Sequence, residues 1–332
     1  MLKLLPIYIV GIILNAQYIF SQSQPEFPAE ERYRIKEAIN IATLFRDSVW
    51  IGWGNVPFTV LLITDSTEFL LNHNNPTGEF EQLGYDSLLQ CNIYYRPRVY
   101  EKNLLATFPA VNGISTIVVG TPQNTERSTS VWILTLLHEH FHQYQNSHPD
   151  YFNATQNLEL HGGDETGMWM LNYPFPYEDK AVNELYDRMK NVLVSIFDEE
   201  ENFEEKKEKF LALGKEFKTL LNEKDYKYFS FQLWQEGIAR YSELEIAELL
   251  SKYNYEPSDE VKQMEDYISF SELSSKLYSK ERNLLNGLKL NESKRNCFYP
   301  FGAFEGKLLD KLKINWKKNY FQEMFFLDKY YE

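Results

Sequence analysis

The stretch Thr129–Gln145, TSVWILTLLHEHFHQYQ, decides how the rest of the chain is read. Its Ser/Thr-rich start suits a helix cap, because a hydroxyl there accepts from an otherwise unpartnered backbone N–H. The run Val131–Leu137 is apolar on nearly every side, which predicts a helix buried in the middle of a domain rather than one lying on a surface. Into this apolar setting the sequence puts His138, Glu139 and His142. Residues four apart on a helix lie one turn above each other, so both imidazoles can address one ion. Glu139 is rotated about 100° from His138 and can reach a water on that ion. His140 lies off the shared face and is expected to be an outer or solvated histidine, not a ligand.

The spacing is H-E-x-x-H, which carries a catalytic zinc when the rest of a site is present. With six histidines in 332 residues, chance yields it in about one such chain in a hundred. The bland alternative is a pair of core histidines bracketing a glutamate. It would bury an acid among three histidines with no metal to compensate them, which is costly.

Composition sets the frame. The 23 Tyr, 23 Phe and 6 Trp can supply a substantial core, and the length suits one large or two small domains. A formal charge of −14 argues against nucleic acid and anionic membrane surfaces as partners. Residues 1–22 read as a secretory signal peptide, with Lys3 ahead of the apolar Leu4–Ile13 and polar or small residues around Ser21 and Ser23. Pro6, Asn15 and Gln17 interrupt the apolar run, so no stable membrane span is expected once the leader is removed. The expected location is therefore secreted or periplasmic. Cys91 and Cys297 are the two cysteines; export permits a disulfide, and two separate thiols is the alternative.

Residues 29–50 carry apolar side chains at helical intervals (Ile35, Ala38, Ile39, Ala42, Phe45) and predict an amphipathic helix. Phe58–Ile63, Phe69–Leu71, Ile93–Val99, Leu104–Phe108 and Ser115–Val119 are short β-branched or aromatic runs that predict a small twisted sheet. The last of these is the nearest strand before the HExxH helix, and as an edge strand it would pair with an extended peptide. Residues 146–177 are irregular. Lys180–Leu221 is helical and highly charged, best read as the solvated face of a helical hairpin. Tyr226–Leu250 and Ser258–Lys329 continue as helices, the latter with a break at Asn296–Gly302.

A hydrolytic zinc site needs three protein ligands and one open position. His148 completes the histidine spacing of the metzincin pattern, but Gln145 stands where that pattern uses a glycine to turn the chain. The rival is Glu236 in WQEGIARYSE, and here the chain resembles a family. HEHFHQY resembles the H-E-x-x-H-Q-W of gluzincin metallopeptidases of the aminopeptidase N type, and Trp234–Glu243 is similar to their W-x-N-E-G-F-A segment. Tyr299–Gly302, YPFG, resembles their Y-x-K-G, with Phe301 in place of the lysine. The three segments keep the family's order. The resemblance implies His138, His142 and Glu236 as ligands of one zinc ion, Glu139 as general base and Tyr299 as donor to the oxyanion. Glu243, two turns beyond Glu236, would orient a ligand histidine or stand as a solvated helix charge.

Two departures bear on substrate. A long helical insertion separates His142 from Glu236, and no G-A-M-E-N segment precedes the HExxH helix. The catalytic machinery is therefore expected to carry over without the aminopeptidase specificity. The expected fold is α+β and thermolysin-like, a small twisted mixed β-sheet packed on a central HExxH helix and followed by a mostly helical C-terminal subdomain. The expected division is residues 25–147 for the first part and residues 148–332 for the second. The expected function is a secreted zinc metallopeptidase acting on peptides or proteins. The alternatives are a non-catalytic binding protein on a metallopeptidase-like fold, a zinc amidase or esterase, and the metzincin-like site with His148.

Overall fold

The computed structural model describes residues 24–198 and 201–331. The leader expected over residues 1–22 lies outside the described residues. No helix among the described residues is long and apolar enough to cross a membrane.

Helix α1 (Ala29–Val49) precedes six strands, β1 (Val60–Ile63), β2 (Thr67–Leu71), β3 (Glu81–Asp86), β4 (Cys91–Pro97), β5 (Leu105–Val111) and β6 (Ile114–Gly120). Helix α2 (Thr129–Asn146) comes next, then the short α3 (Tyr151–Asn157) and α4 (Trp169–Asn172) within the irregular region. The remainder is helical: α5 (Lys180–Asp198), α6 (Phe203–Leu220), α7 (Glu223–Gln232), α8 (Ile238–Lys252), α9 (Asp259–Lys262), α10 (Phe270–Gly287), α11 (Leu290–Ser293) and α12 (Phe298–Lys311). The fold is α+β with one mixed sheet.

The sheet runs β3-β4-β2-β1-β6-β5, and β1 and β6 are its one parallel pair. This order corrects the expectation for the strand before α2. That strand, β6, is interior, and the edge next to the HExxH helix is β5. The reason is the tight turn at Asn112–Gly113, which folds β5 back along β6 and covers it. The strand β3 has no counterpart in the sequence reading, because EQLGYD alternates no apolar face; as an outer strand it pairs with β4 alone.

All of α2 except Val131 and Asn146 is buried, as an all-round apolar helix requires. Its start is closed by a distant group and not by the local hydroxyls: the Asp266 carboxylate accepts from Thr129 N at 2.9 Å and from Thr129 Oγ1 at 2.5 Å. An acid is well placed there, since unpartnered N–H groups and the helix dipole make that end positive. Trp132 Nε1 donates to Gly120 O at 2.9 Å and ties the end of β6 to α2. Gly120 has no room for a side chain, because a Cβ there would lie 2.0 Å from the Lys102 carbonyl oxygen.

Between α7 and α8 the chain makes one π-helical turn, Leu233–Gly237, so a nearly continuous helix carries a local widening in its middle. The expected break at Asn296–Gly302 is corrected: residues from Phe298 onward are the first turns of α12. Pro300 is tolerated in a first helical turn, where its missing N–H has no partner to lose. Gly302 is there for packing. A Cβ on Gly302 would fall 2.7 Å from Gly237 Cα, and one on Gly237 would fall 2.5 Å from Gly302 Cα. The two helices thus cross backbone against backbone at two glycines.

Helices α5 and α6 form the expected hairpin, with one face of α5 buried. One apolar cluster joins Ile35 on α1, Leu62 on β1, Trp132 on α2, Trp234 on the π turn, Phe301 on α12 and Leu327 near the C-terminus. A smaller one on the opposite sheet face holds Leu61, Leu70, Phe80 and Val118. Cys91 and Cys297 are separate thiols, not a disulfide.

Candidate metal centre

His138 and His142 stand one turn apart on α2 with ring centroids separated by 5.0 Å. The π turn brings Glu236 to them from the other half of the chain. Glu236 Oε2 lies 3.5 Å from His142 Nε2 and 4.0 Å from His138 Nε2. One donor atom from each residue falls within 4.8 Å of the others, and this trio could hold a metal ion. Tetrahedral bonds of about 2.0–2.1 Å put ligand atoms about 3.3 Å apart. The His142–Glu236 separation is close to that figure, and small side-chain rotations close the rest.

The chemistry of the donors fits an ion as well as their spacing does. Gln145 Oε1 lies 2.7 Å from His142 Nδ1, while Gln145 Nε2 is held on the carbonyl oxygens of Trp234 and Gln235 at 3.0 and 3.1 Å. The amide is therefore oriented oxygen-first toward His142 Nδ1, which also has Gln235 Nε2 at 3.1 Å, and His142 Nε2 is the ring nitrogen that faces Glu236. Glu243 Oε2 lies 3.3 Å from His138 Nδ1, off the line of a good hydrogen bond, so that buried nitrogen has a carboxylate beside it without a formed bond. Arg240 Nη1 holds the same Glu243 oxygen at 2.6 Å, and Glu281 on α10 stands 3.8 Å from Arg240 Nε. Outer carboxylates and amides of this kind orient ligand imidazoles.

The electrostatics of the trio follow from burial and mutual charge. Burial works to raise Glu236, but the His142 hydrogen bond and the charges of His142, His138 and Arg295 outweigh it and hold the carboxyl down at about 2. Burial likewise works to lower His142, and the Glu236 carboxylate with the charge of Glu139 outweighs it, leaving the imidazole up at about 9.

Glu139 is buried, and its charge acts on His142. Thr107 Oγ1 on the edge strand β5 donates to Glu139 Oε2 at 2.7 Å and lies 3.1 Å from Glu139 O. Tyr299, in the first turn of α12, is half-buried beside Glu236, and Arg295 Nη1 donates to its hydroxyl oxygen at 2.9 Å. Burial and the Glu236 charge push the Tyr299 hydroxyl well above the ordinary tyrosine value, so it is a proton donor across the working pH range.

His148 is not in the trio: its ring stacks on Phe321 at 4.6 Å, and its Nδ1 accepts from Asp150 N. The helix continues through Gln145, which does not turn the chain but holds His142. His140 is not a ligand either, nor is it solvated. It is buried between Trp53 and Phe58, hydrogen-bonded to Gln143 Oε1, and burial pulls it down to about 4, which keeps it neutral.

The site thus brings together the sequence-expected His138, His142 and Glu236, with Glu243 beside His138 and Tyr299 alongside. Three residues at the site escaped the sequence reading. Gln145 was discoverable from its place three residues after His142, on the same helix face. Thr107 and Arg295 carried no signal, since only the folding of β5 and of the turn before α12 brings them in. No protein-family model, no curated protein and no solved structure matches this chain.

Proposed function

We propose that this chain is an exported zinc hydrolase that cleaves peptide bonds, laid out along the lines of the gluzincins that its HExxH, EGIA and YPFG segments resemble. The observation that supports it most is the conjunction of two buried imidazoles and a half-buried carboxylate that converge on one point with a second, separate carboxylate held by Thr107. A merely structural ion would not require the latter. Zinc held by His138, His142 and Glu236 would supply a divalent charge that acidifies water to a pKa of about 7 and polarises a carbonyl oxygen.

The chain's own residues do the rest. Glu139 takes a proton on its carboxylate from the attacking water and delivers it to the departing amine. Tyr299 donates its hydroxyl hydrogen to the developing oxyanion, where a fixed donor in a water-poor site is most effective. Strand β5 pairs on one side only, so its outer edge offers main-chain groups to an extended substrate a few residues from Glu139. Pro109 and the irregular pairing between Phe108 and Val111 confine that offer to the Leu105–Phe108 end.

The test is a digest of a synthetic peptide library by purified full-length protein, with and without a chelator, read by mass spectrometry. The expectation is cleavage that the chelator abolishes, zinc restores and Glu139→Gln lowers by two to four orders of magnitude. Cleavage by Glu139→Gln at the normal rate contradicts the assignment of the base. No cleavage of any peptide by the zinc-loaded protein contradicts the peptidase reading.

A further inference from the structure

In a chain of net charge −14, three guanidinium groups gather round the candidate metal centre. Arg240 is committed to Glu243 and faces Glu281. Arg127 donates to Thr135 Oγ1 at 3.1 Å and Thr125 O at 2.9 Å along α2. Arg295 differs from both. It is half-buried, donates to the Tyr299 hydroxyl, and forms no ion pair among the described residues; the acid acting on it is Glu236.

That arrangement has a consequence once Glu236 serves as a metal ligand. The negative charge of Glu236 is then spent on the cation, and Arg295 is left as a partly buried charge without a counter-ion, a costly state. Its position also defines what can relieve it. The Tyr299 hydroxyl is 2.9 Å from Arg295 Nη1, and a carbonyl oxygen taking a hydrogen bond from that hydroxyl lies about 3 Å further on. The guanidinium therefore sits within about 6 Å of the scissile carbonyl oxygen, and a group that it binds lies within about 9 Å, the span of two to three extended residues.

Resting on the hydrolase reading above, we infer that Arg295 receives a substrate carboxylate, so that the bonds cleaved lie within two or three residues of a negatively charged group. A guanidinium favours a carboxylate because its planar fork matches two oxygens. The carboxylate is either the free C-terminus of a peptide or an acidic side chain within that span of the bond.

Calorimetry on the zinc-loaded, full-length Glu139→Gln protein tests this without requiring turnover. The probes are an acetylated trialanine as free acid and as amide, and an acetylated, amidated alanine tripeptide carrying Glu or Gln at its centre. In at least one pair the charged member is expected to bind tenfold or more tighter than its neutral partner, the scale of one charge-assisted hydrogen bond. The pair that discriminates identifies the source of the carboxylate. Adding Arg295→Gln removes the difference, and Arg295→Lys restores part of it.

Equal binding within both pairs, no binding of any probe, or a loss in Arg295→Gln that strikes charged and neutral probes alike would overturn the inference. The last result would mark Arg295 as a support for Tyr299 only. Discrimination by the Glu139→Gln protein, together with no peptide turnover by the unmutated protein, keeps Arg295 as a carboxylate site and removes the hydrolase. Turnover without discrimination does the reverse.

Discussion

At the scale of single residues, the centre is organised by groups that touch the presumptive ligands rather than by the ligands alone. Gln145 holds His142 Nδ1 at 2.7 Å and simultaneously donates to Trp234 O, Gln235 O and the Tyr320 hydroxyl. Replacing it with Ala leaves two buried carbonyls short of a donor and frees the imidazole. Gln145→Ala is therefore expected to weaken zinc binding by 10- to 100-fold and to lower stability by about 1–3 kcal/mol, measurable by metal-competition titration and thermal unfolding. Thr107 touches only the base. Thr107→Val should lower kcat about tenfold while zinc content and the unfolding midpoint stay near those of the unmutated protein, because it removes an orienting hydrogen bond and preserves shape. Zinc loss in Thr107→Val would show that β5 supports the ligands and not Glu139.

At the scale of elements, the EGIA and YPFG segments meet through their glycines. The π turn and α12 can approach as closely as they do because neither Gly237 nor Gly302 has a Cβ. That approach is what sets Tyr299 beside Glu236. Gly302→Ala should cost about 2–3 kcal/mol, seen as a lowered denaturant midpoint, and should reduce activity beyond the loss of folded protein as Tyr299 is displaced. An unchanged midpoint would mean that the helices separate without penalty.

Much of this was legible in the chain. The buried helix α2, the helical hairpin α5–α6 and the His138–His142–Glu236 trio all follow from periodicity, charge pattern and motif order. The misses have physical causes. Strand β3 is polar and held from outside by β4, so no local pattern announces it. Pro300 and Gly302 are ordinary breaker signals that here serve a first helical turn and a helix crossing. The order of β5 and β6 depends on a hairpin whose two arms have similar composition. For His140 the sequence leaves an outer and a solvated place open, because nothing local reports that Trp53 and Phe58 fold over it.

At the scale of the whole molecule, the C-terminal segment is structurally part of the centre. Tyr320 stacks on Trp234 at 4.4 Å, accepts from Gln145 Nε2 and donates to Trp234 O, so a residue close to the end of the chain supports the helix that bears Glu236. Near it, Glu305 is a buried acid whose Oε2 has no hydrogen-bond partner among the described residues. Burial, reinforced by the charge of Asp328 and opposed by the neighbouring Tyr331 hydroxyl, pushes its carboxyl from 4.5 up to about 8. The folded chain therefore holds a proton that the unfolded chain gives up. The contribution of Glu305 to stability is undiminished below about pH 4.5, falls as pH rises to about 8 and levels off above it, by a few kcal/mol in total. Glu305→Gln should flatten that slope and stabilise the protein at pH 8, and an unchanged slope would place the ionisation elsewhere.

The account depends most directly on whether Glu236 closes a cage with His138 and His142. Metal content of the purified protein, measured by mass spectrometry for the unmutated chain, Glu139→Gln and Glu236→Ala, decides it. The prediction is one zinc per chain in the first two and loss of stoichiometric zinc in Glu236→Ala while it remains folded. Zinc retained at full stoichiometry in Glu236→Ala, or no zinc taken up by the unmutated chain from zinc-containing buffer, would contradict it.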